Sequence, residues 1–96
     1  MNEIGYEERK AVYKDAIADY GIHAQSWMVI EEMSELSKEL CKMQRGKGSV
    51  EDLADEIADV TIMLEQLRLM YDINDTVCRH MDYKIRRLRS RLDGTL

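Results

Sequence analysis

No proline occurs in the 96 residues, and apolar side chains recur at three- and four-residue spacing along most of the chain. Proline removes an amide donor and clashes with the preceding turn, so a chain without it is free to form long helices. Between residues 24 and 44, Val29, Met33, Leu36, Leu40 and Met43 share one face at about 100° per residue. Between 50 and 71 the face is Leu53, Ile57, Val60, Leu64, Leu67 and Tyr71, and between 75 and 92 it is Val77, Met81, Ile85, Leu88 and Leu92. An earlier helix, from about Ile4 to Tyr20, carries Tyr6, Tyr13 and Tyr20 at heptad spacing and ends at Gly21. These tyrosines pack against other helices or a second subunit, or one of them lines a pocket. The stretch Arg45-Gly-Lys-Gly-Ser49 reads as a turn with Ser49 as the following cap, and Asp72–Asp75 as another. Ser90–Leu96 reads as a fraying end. The pattern predicts a single all-α domain over 1–96, a four-helix antiparallel bundle.

The two central helices carry acids where a solvated face does not need them. Glu32 and Glu35 are three apart, as are Glu56 and Asp59, and residues at that spacing share a face. Glu56 falls inside its apolar stripe, roughly 50° from the centre, whereas Glu31, Glu51 and Asp55 read as solvated. A carboxylate on a buried face is costly unless it is paired or binds a metal. If the turn at 45–49 makes these helices antiparallel, Glu32, Glu35, Glu56 and Asp59 converge, and a hard divalent cation relieves their repulsion. Neither His23 nor His80 forms the Glu-x-x-His pair of di-iron bundles, which turns the choice toward Mg²⁺ or Mn²⁺.

The array Glu31-Glu32-x-x-Glu35, a spacer of twenty residues, then Glu56-x-x-Asp59 resembles the all-α nucleoside triphosphate pyrophosphohydrolases. These form the MazG-like group, which includes dimeric dUTPases and dCTPases. The resemblance runs from about Gln25 through Lys84-Ile-x-Arg87-Leu88. It implies a MazG-like bundle in which Glu32, Glu35, Glu56 and Asp59 hold Mg²⁺. It also implies hydrolysis of a nucleoside triphosphate to the monophosphate and pyrophosphate, a nucleotide-pool housekeeping role. Glu35, at the stripe edge nearest solvent, is the candidate to orient or deprotonate the attacking water. Lys84 and Arg87, on a flank of the last helix, are candidates for the phosphates. Gln25 and Trp27 lie within about two turns of the acids and can reach the same cavity; Trp27 stacks on a base or packs against helix 1 or a partner. Relatives often carry an asparagine downstream of the lysine, and none follows Asn74 here, so base specificity does not transfer.

Composition trims the alternatives. A net charge of −5 argues against a protein whose main partner is nucleic acid. The two cysteines, Cys41 and Cys78, form no zinc motif and read as small buried residues in a reducing compartment. No leader pattern or membrane-spanning run is expected, which points to the cytoplasm. The turn glycines lack P-loop spacing. Tyr6, Tyr13, Trp27, Ile62 and Leu69 lie off the main stripes, more apolar surface than one small bundle buries, so the bundle is expected to be completed as a homodimer or homotetramer. Two rival readings remain. One is a non-catalytic helical dimerisation module using the basic last helix; the other is a helix-turn-helix regulator, against which the net acidity counts.

Overall fold

The computed structural model describes residues 2–95. It contains four helices, α1 (Tyr6–Tyr20), α2 (Ile22–Gln44), α3 (Val50–Met70) and α4 (Asn74–Asp93), and no strand among the described residues. The all-α reading holds. Helix α4 runs on to Asp93, so the expected fraying end is shorter; its last residue, Leu96, lies outside the described residues.

The α2–α3 hairpin is the centre of the molecule, and its turn is dictated locally. Gly46 has φ +72°, a left-handed angle that costs other residues energy. It lets the Gly46 N–H reach the Met43 carbonyl at 3.0 Å and the Lys47 N–H reach Lys42 at 2.9 Å, satisfying the last carbonyls of α2. A Cβ on Gly48 would sit 3.0 Å from the Met43 sulfur and 3.1 Å from its backbone nitrogen, so the turn closes tightly on α2. Ser49 then caps α3, its hydroxyl accepting the Asp52 N–H at 3.1 Å.

With that turn the helices run antiparallel: Gln25 at the start of α2 meets Gln66 near the end of α3. The Gln25 amide Nε2 donates to Gln66 Oε1 at 2.7 Å, and both side chains are buried beside Val29, Val60 and Met63. Helix α1 lies across the pair through Tyr13, which is 4 % exposed. Its hydroxyl donates to Glu65 Oε1 at 2.7 Å, while Arg9 reaches Glu65 Oε2 at 3.4 Å. Burial, then the Glu65 carboxylate, pushes the Tyr13 phenol up to about 12. Tyr6 and Tyr20 stay exposed.

Helix α4 stands apart. It touches α3 alone and buries none of its residues. Beyond the connection its polar contacts to α3 are long, Arg68 Nη1 to Asn74 Oδ1 at 3.4 Å and Nη2 to the Met81 sulfur at 3.6 Å. Two expectations are corrected as a result. Met33, Leu40, Ile57 and Leu64 on the central stripes are 40–49 % exposed, because no fourth helix covers them. Cys41 and Cys78 are exposed as well. The chain shows 7670 Å² of surface, about 2,000 Å² more than the ~5,700 Å² of a compact protein of 11.2 kDa. Its radius of gyration, 16.4 Å, exceeds the ~12.5 Å of a compact chain of this length.

The Gln25–Gln66 pair predicts a thermodynamic cycle. Gln66→Leu leaves the Gln25 amide buried without its acceptor and is expected to cost about 1–3 kcal/mol, at about 4–8 °C of melting temperature per kcal/mol. Gln25→Leu with Gln66→Leu should recover most of the loss. A double variant as unstable as the sum of the singles would show that packing, not the hydrogen bond, holds the pair.

Candidate metal centre

Antiparallel pairing brings Glu32 of α2 against Glu56 and Asp59, which stand one turn apart on α3. One carboxylate oxygen from each lies within 4.8 Å of the others. All three side chains are half-buried, and Oε2 of Glu56 is sealed from solvent with no hydrogen-bond donor. Among the described residues the ion pairs lie elsewhere, so no lysine, arginine or histidine offsets these three charges.

Both Glu32 and Glu56 are held above the ordinary carboxylate value of 4.5. Partial desolvation is the main cause for each, followed by the charge on Asp59. Glu31, Glu35 and Asp55 add to the repulsion on Glu32, and Glu32, Asp55 and Glu35 to that on Glu56. Six acids thus set the local field. The donor set is hard oxygen throughout, which suits Mg²⁺ or Mn²⁺ rather than a thiolate- or imidazole-seeking metal. The orphaned Glu56 oxygen is the atom of the triad left free to accept a cation.

The other expected site residues are scattered. Glu35 stands next to the triad but is 46 % exposed at its side chain, with Lys38 Nζ 3.9 Å from its Oε2. Gln25 is committed to Gln66, and it lines a shallow cleft of about 370 Å³ with Tyr20, Ala24 and Met28. Trp27 is 60 % exposed, its Nε1–H donating to His23 Nε2 at 3.2 Å, with the two rings edge-on at 6.3 Å. On α4, Lys84 is exposed, and the Arg87 guanidinium lies 5.6 Å over the Tyr83 ring with its Nε buried and unpartnered. Helix α4 makes no contact with α2, and neither cation pairs with the acids within one chain.

Three participants are not evident from periodicity. Asp55 is exposed yet acts on both raised carboxylates, because charge reaches past the face that a helical wheel assigns. Gln66 and Glu65 carry the polar contacts of α3 to the other helices; a neutral amide one turn after Met63, on the same buried face as Val60, is the signal for the first. Against family models, characterised proteins and solved structures, the chain finds no match.

The raised carboxylates set a pH dependence. A carboxylate whose folded pKa lies above its unfolded one favours the fold below the unfolded value, and that stabilisation disappears as pH rises through the folded one. The metal-free protein should therefore lose melting temperature as pH rises above the ordinary carboxylate value of 4.5. Glu56→Gln should raise the metal-free melting temperature near neutral pH and flatten this profile. Mg²⁺ at about 100 times its dissociation constant should add about 2.7 kcal/mol to the parent and much less to the variant. A destabilised Glu56→Gln with an intact Mg²⁺ shift would make Glu56 a structural residue and move the metal elsewhere.

Proposed function

We propose that the chain is a divalent-cation-dependent hydrolase of nucleoside triphosphates, releasing pyrophosphate, with a MazG-like bundle completed by homo-oligomerisation. The observation that supports a metal reading best is the sealed, donorless Oε2 of Glu56 facing two further carboxylates. A cluster of that kind inside a helical hairpin destabilises the fold unless a cation occupies it. Which bond is cut is what the family resemblance implies, and the acids alone do not specify it.

Glu32, Glu56 and Asp59 would hold Mg²⁺, with Glu35 completing the set. Bound there, the ion supplies Lewis-acid neutralisation of the phosphate oxygens. Glu35, beside the triad and open to solvent, orients the attacking water and accepts its proton. Lys84 and Arg87 pair with phosphate oxygens through charge-assisted hydrogen bonds. Exposed Trp27 offers a face for the base. Gln25 serves the site through the Gln66 bond that fixes how α2 lies on α3. No helix among the described residues is long and apolar enough to cross a membrane. A cytoplasmic nucleotide-pool role fits the reading.

The exposed, basic and apolar α4 favours one second reading, a helical interaction module without catalysis.

A panel of canonical and modified nucleoside triphosphates separates the two. Pyrophosphate release from at least one, with Mg²⁺ or Mn²⁺ and not with EDTA, is the expected result. Glu32→Gln, Glu35→Gln, Glu56→Gln and Asp59→Asn should each lower turnover by roughly 10²-fold or more, and Glu31→Gln much less. Orthophosphate as the first product, or no turnover across the panel, would sink the hydrolase reading.

A further inference from the structure

A second cavity lies away from the acids, where α1, α3 and the start of α4 come near one another. It holds about 240 Å³, with Tyr6 and Tyr13 of α1, Glu65 and Arg68 of α3, and Asn74 and Cys78 of α4 in its walls. Arg68 lies nine residues beyond Asp59 on the same helix. That places it about 13 Å farther along α3 and half a turn round from the metal centre. The cavity also separates α4 from α1, since α4 touches α3 alone.

The hydrogen-bonding groups of this cavity are out of balance. Glu65 is spoken for: its Oε1 accepts the Tyr13 hydroxyl at 2.7 Å, and its Oε2 faces Arg9 at 3.4 Å, so its charge is offset. Arg68 is not. Its side chain is half-buried, and among the described residues no carboxylate pairs with it. Its two contacts are neutral and long, Asn74 Oδ1 at 3.4 Å and the Met81 sulfur at 3.6 Å. A guanidinium carries five N–H donors in a fixed fork, and desolvating it beside neutral acceptors alone is costly. Asn74 turns its oxygen to Arg68, so its amide N–H groups are left to donate as well. Two further cations stand near the mouth, Lys10 Nζ at 5.3 Å and the Arg9 guanidinium at 5.7 Å from the Tyr6 ring centre. Donors and positive charge are in surplus. The complementary partner is an acceptor that carries negative charge, and an oxyanion meets the Arg68 fork with two parallel hydrogen bonds.

Size and the remaining walls say what that oxyanion is attached to. A volume of about 240 Å³ equals the liquid share of about eight waters, below the roughly 300–1,000 Å³ of sites that enclose drug-sized ligands. It leaves room for a single ring rather than a nucleotide. Tyr6, Tyr13 and Leu69 supply the aromatic and apolar wall against which a ring packs.

We propose that this cavity binds a small one-ring organic anion, its oxyanion on Arg68 and Asn74 and its ring against Tyr6 and Leu69. Bound there, the anion bridges three helices and holds α4 in place, which otherwise rests on α3 alone. The site stands whether or not the acid cluster serves a hydrolase.

Cys78 lines the cavity, whereas Cys41, also a free and exposed thiol, sits at the opposite end of the hairpin, so alkylation reads both at once. The full chain, in EDTA so that the acids hold no metal, is treated with N-ethylmaleimide beside phenyl phosphate, benzoate, inorganic phosphate or benzyl alcohol. Each cysteine is followed by mass spectrometry. Phenyl phosphate or benzoate, at about ten times the dissociation constant measured by calorimetry, should slow Cys78 roughly tenfold and leave Cys41 unchanged. The stronger of the two tells a phosphate ligand from a carboxylate one. Arg68→Gln should remove the protection. So should Asn74→Asp, which keeps the side-chain size and sets an internal carboxylate beside the guanidinium; it decides the matter if Arg68→Gln does not fold. The proposal is overturned by an absence of protection from either anion at millimolar concentration, by equal protection of both cysteines, or by protection that survives these substitutions. Benzyl alcohol matching the anions would overturn it too, since the charge would then not be read. Inorganic phosphate protecting as well as phenyl phosphate would overturn the ring and reduce the site to an adventitious ion only.

Discussion

Repulsion among three carboxylates held together by helix packing is the constraint on which the rest of this molecule turns. Glu32, Glu56 and Asp59 are not brought together by attraction for one another. They meet because the Gly46 turn, the Ser49 cap and the Gln25–Gln66 bond fix how α2 lies on α3. Burial of Val29, Val60 and Met63 supplies the driving force, and the acids oppose it. A site that works against its own scaffold is the kind expected at a functional position, where local stability is given up for chemistry.

The same hairpin explains why the fold is open. With α1 covering one side through Tyr13, the face that holds Met33, Leu40, Ile57 and Leu64 remains uncovered beside the acids. A chain of 96 residues has little core to spare, and apolar area of this extent in contact with water is costly.

Much of the helix pattern was legible from the chain itself. The missing proline, the glycine turn and the 3.6-residue period mark four helices with ends within about two residues of those observed. Glu56 stood out because a carboxylate inside an apolar stripe conflicts with its surroundings, and its sealed oxygen lies where that conflict points. Periodicity says which face is apolar but not what covers it, so Met33, Leu40, Cys41 and Cys78 read as buried and are exposed. It also treats charges as belonging to faces. Asp55 points to solvent and still acts on Glu32 and Glu56, because Coulomb interactions do not stop at the edge of a stripe. The placement of α4 depends on a three-residue connection and on contacts far along the chain, neither of which has a periodic signature.

The central claim is that the triad holds one divalent cation, and Mn²⁺ tests it most directly because its free and bound forms differ in their electron paramagnetic resonance. Titrating the metal-free protein should show one tight Mn²⁺ per chain. That site should be displaced by Mg²⁺, and it should be lost in Glu56→Gln and in Asp59→Asn while Glu65→Gln leaves it in place. A parent protein that leaves Mn²⁺ free, or a Glu56→Gln variant that binds it as tightly as the parent, would contradict the account.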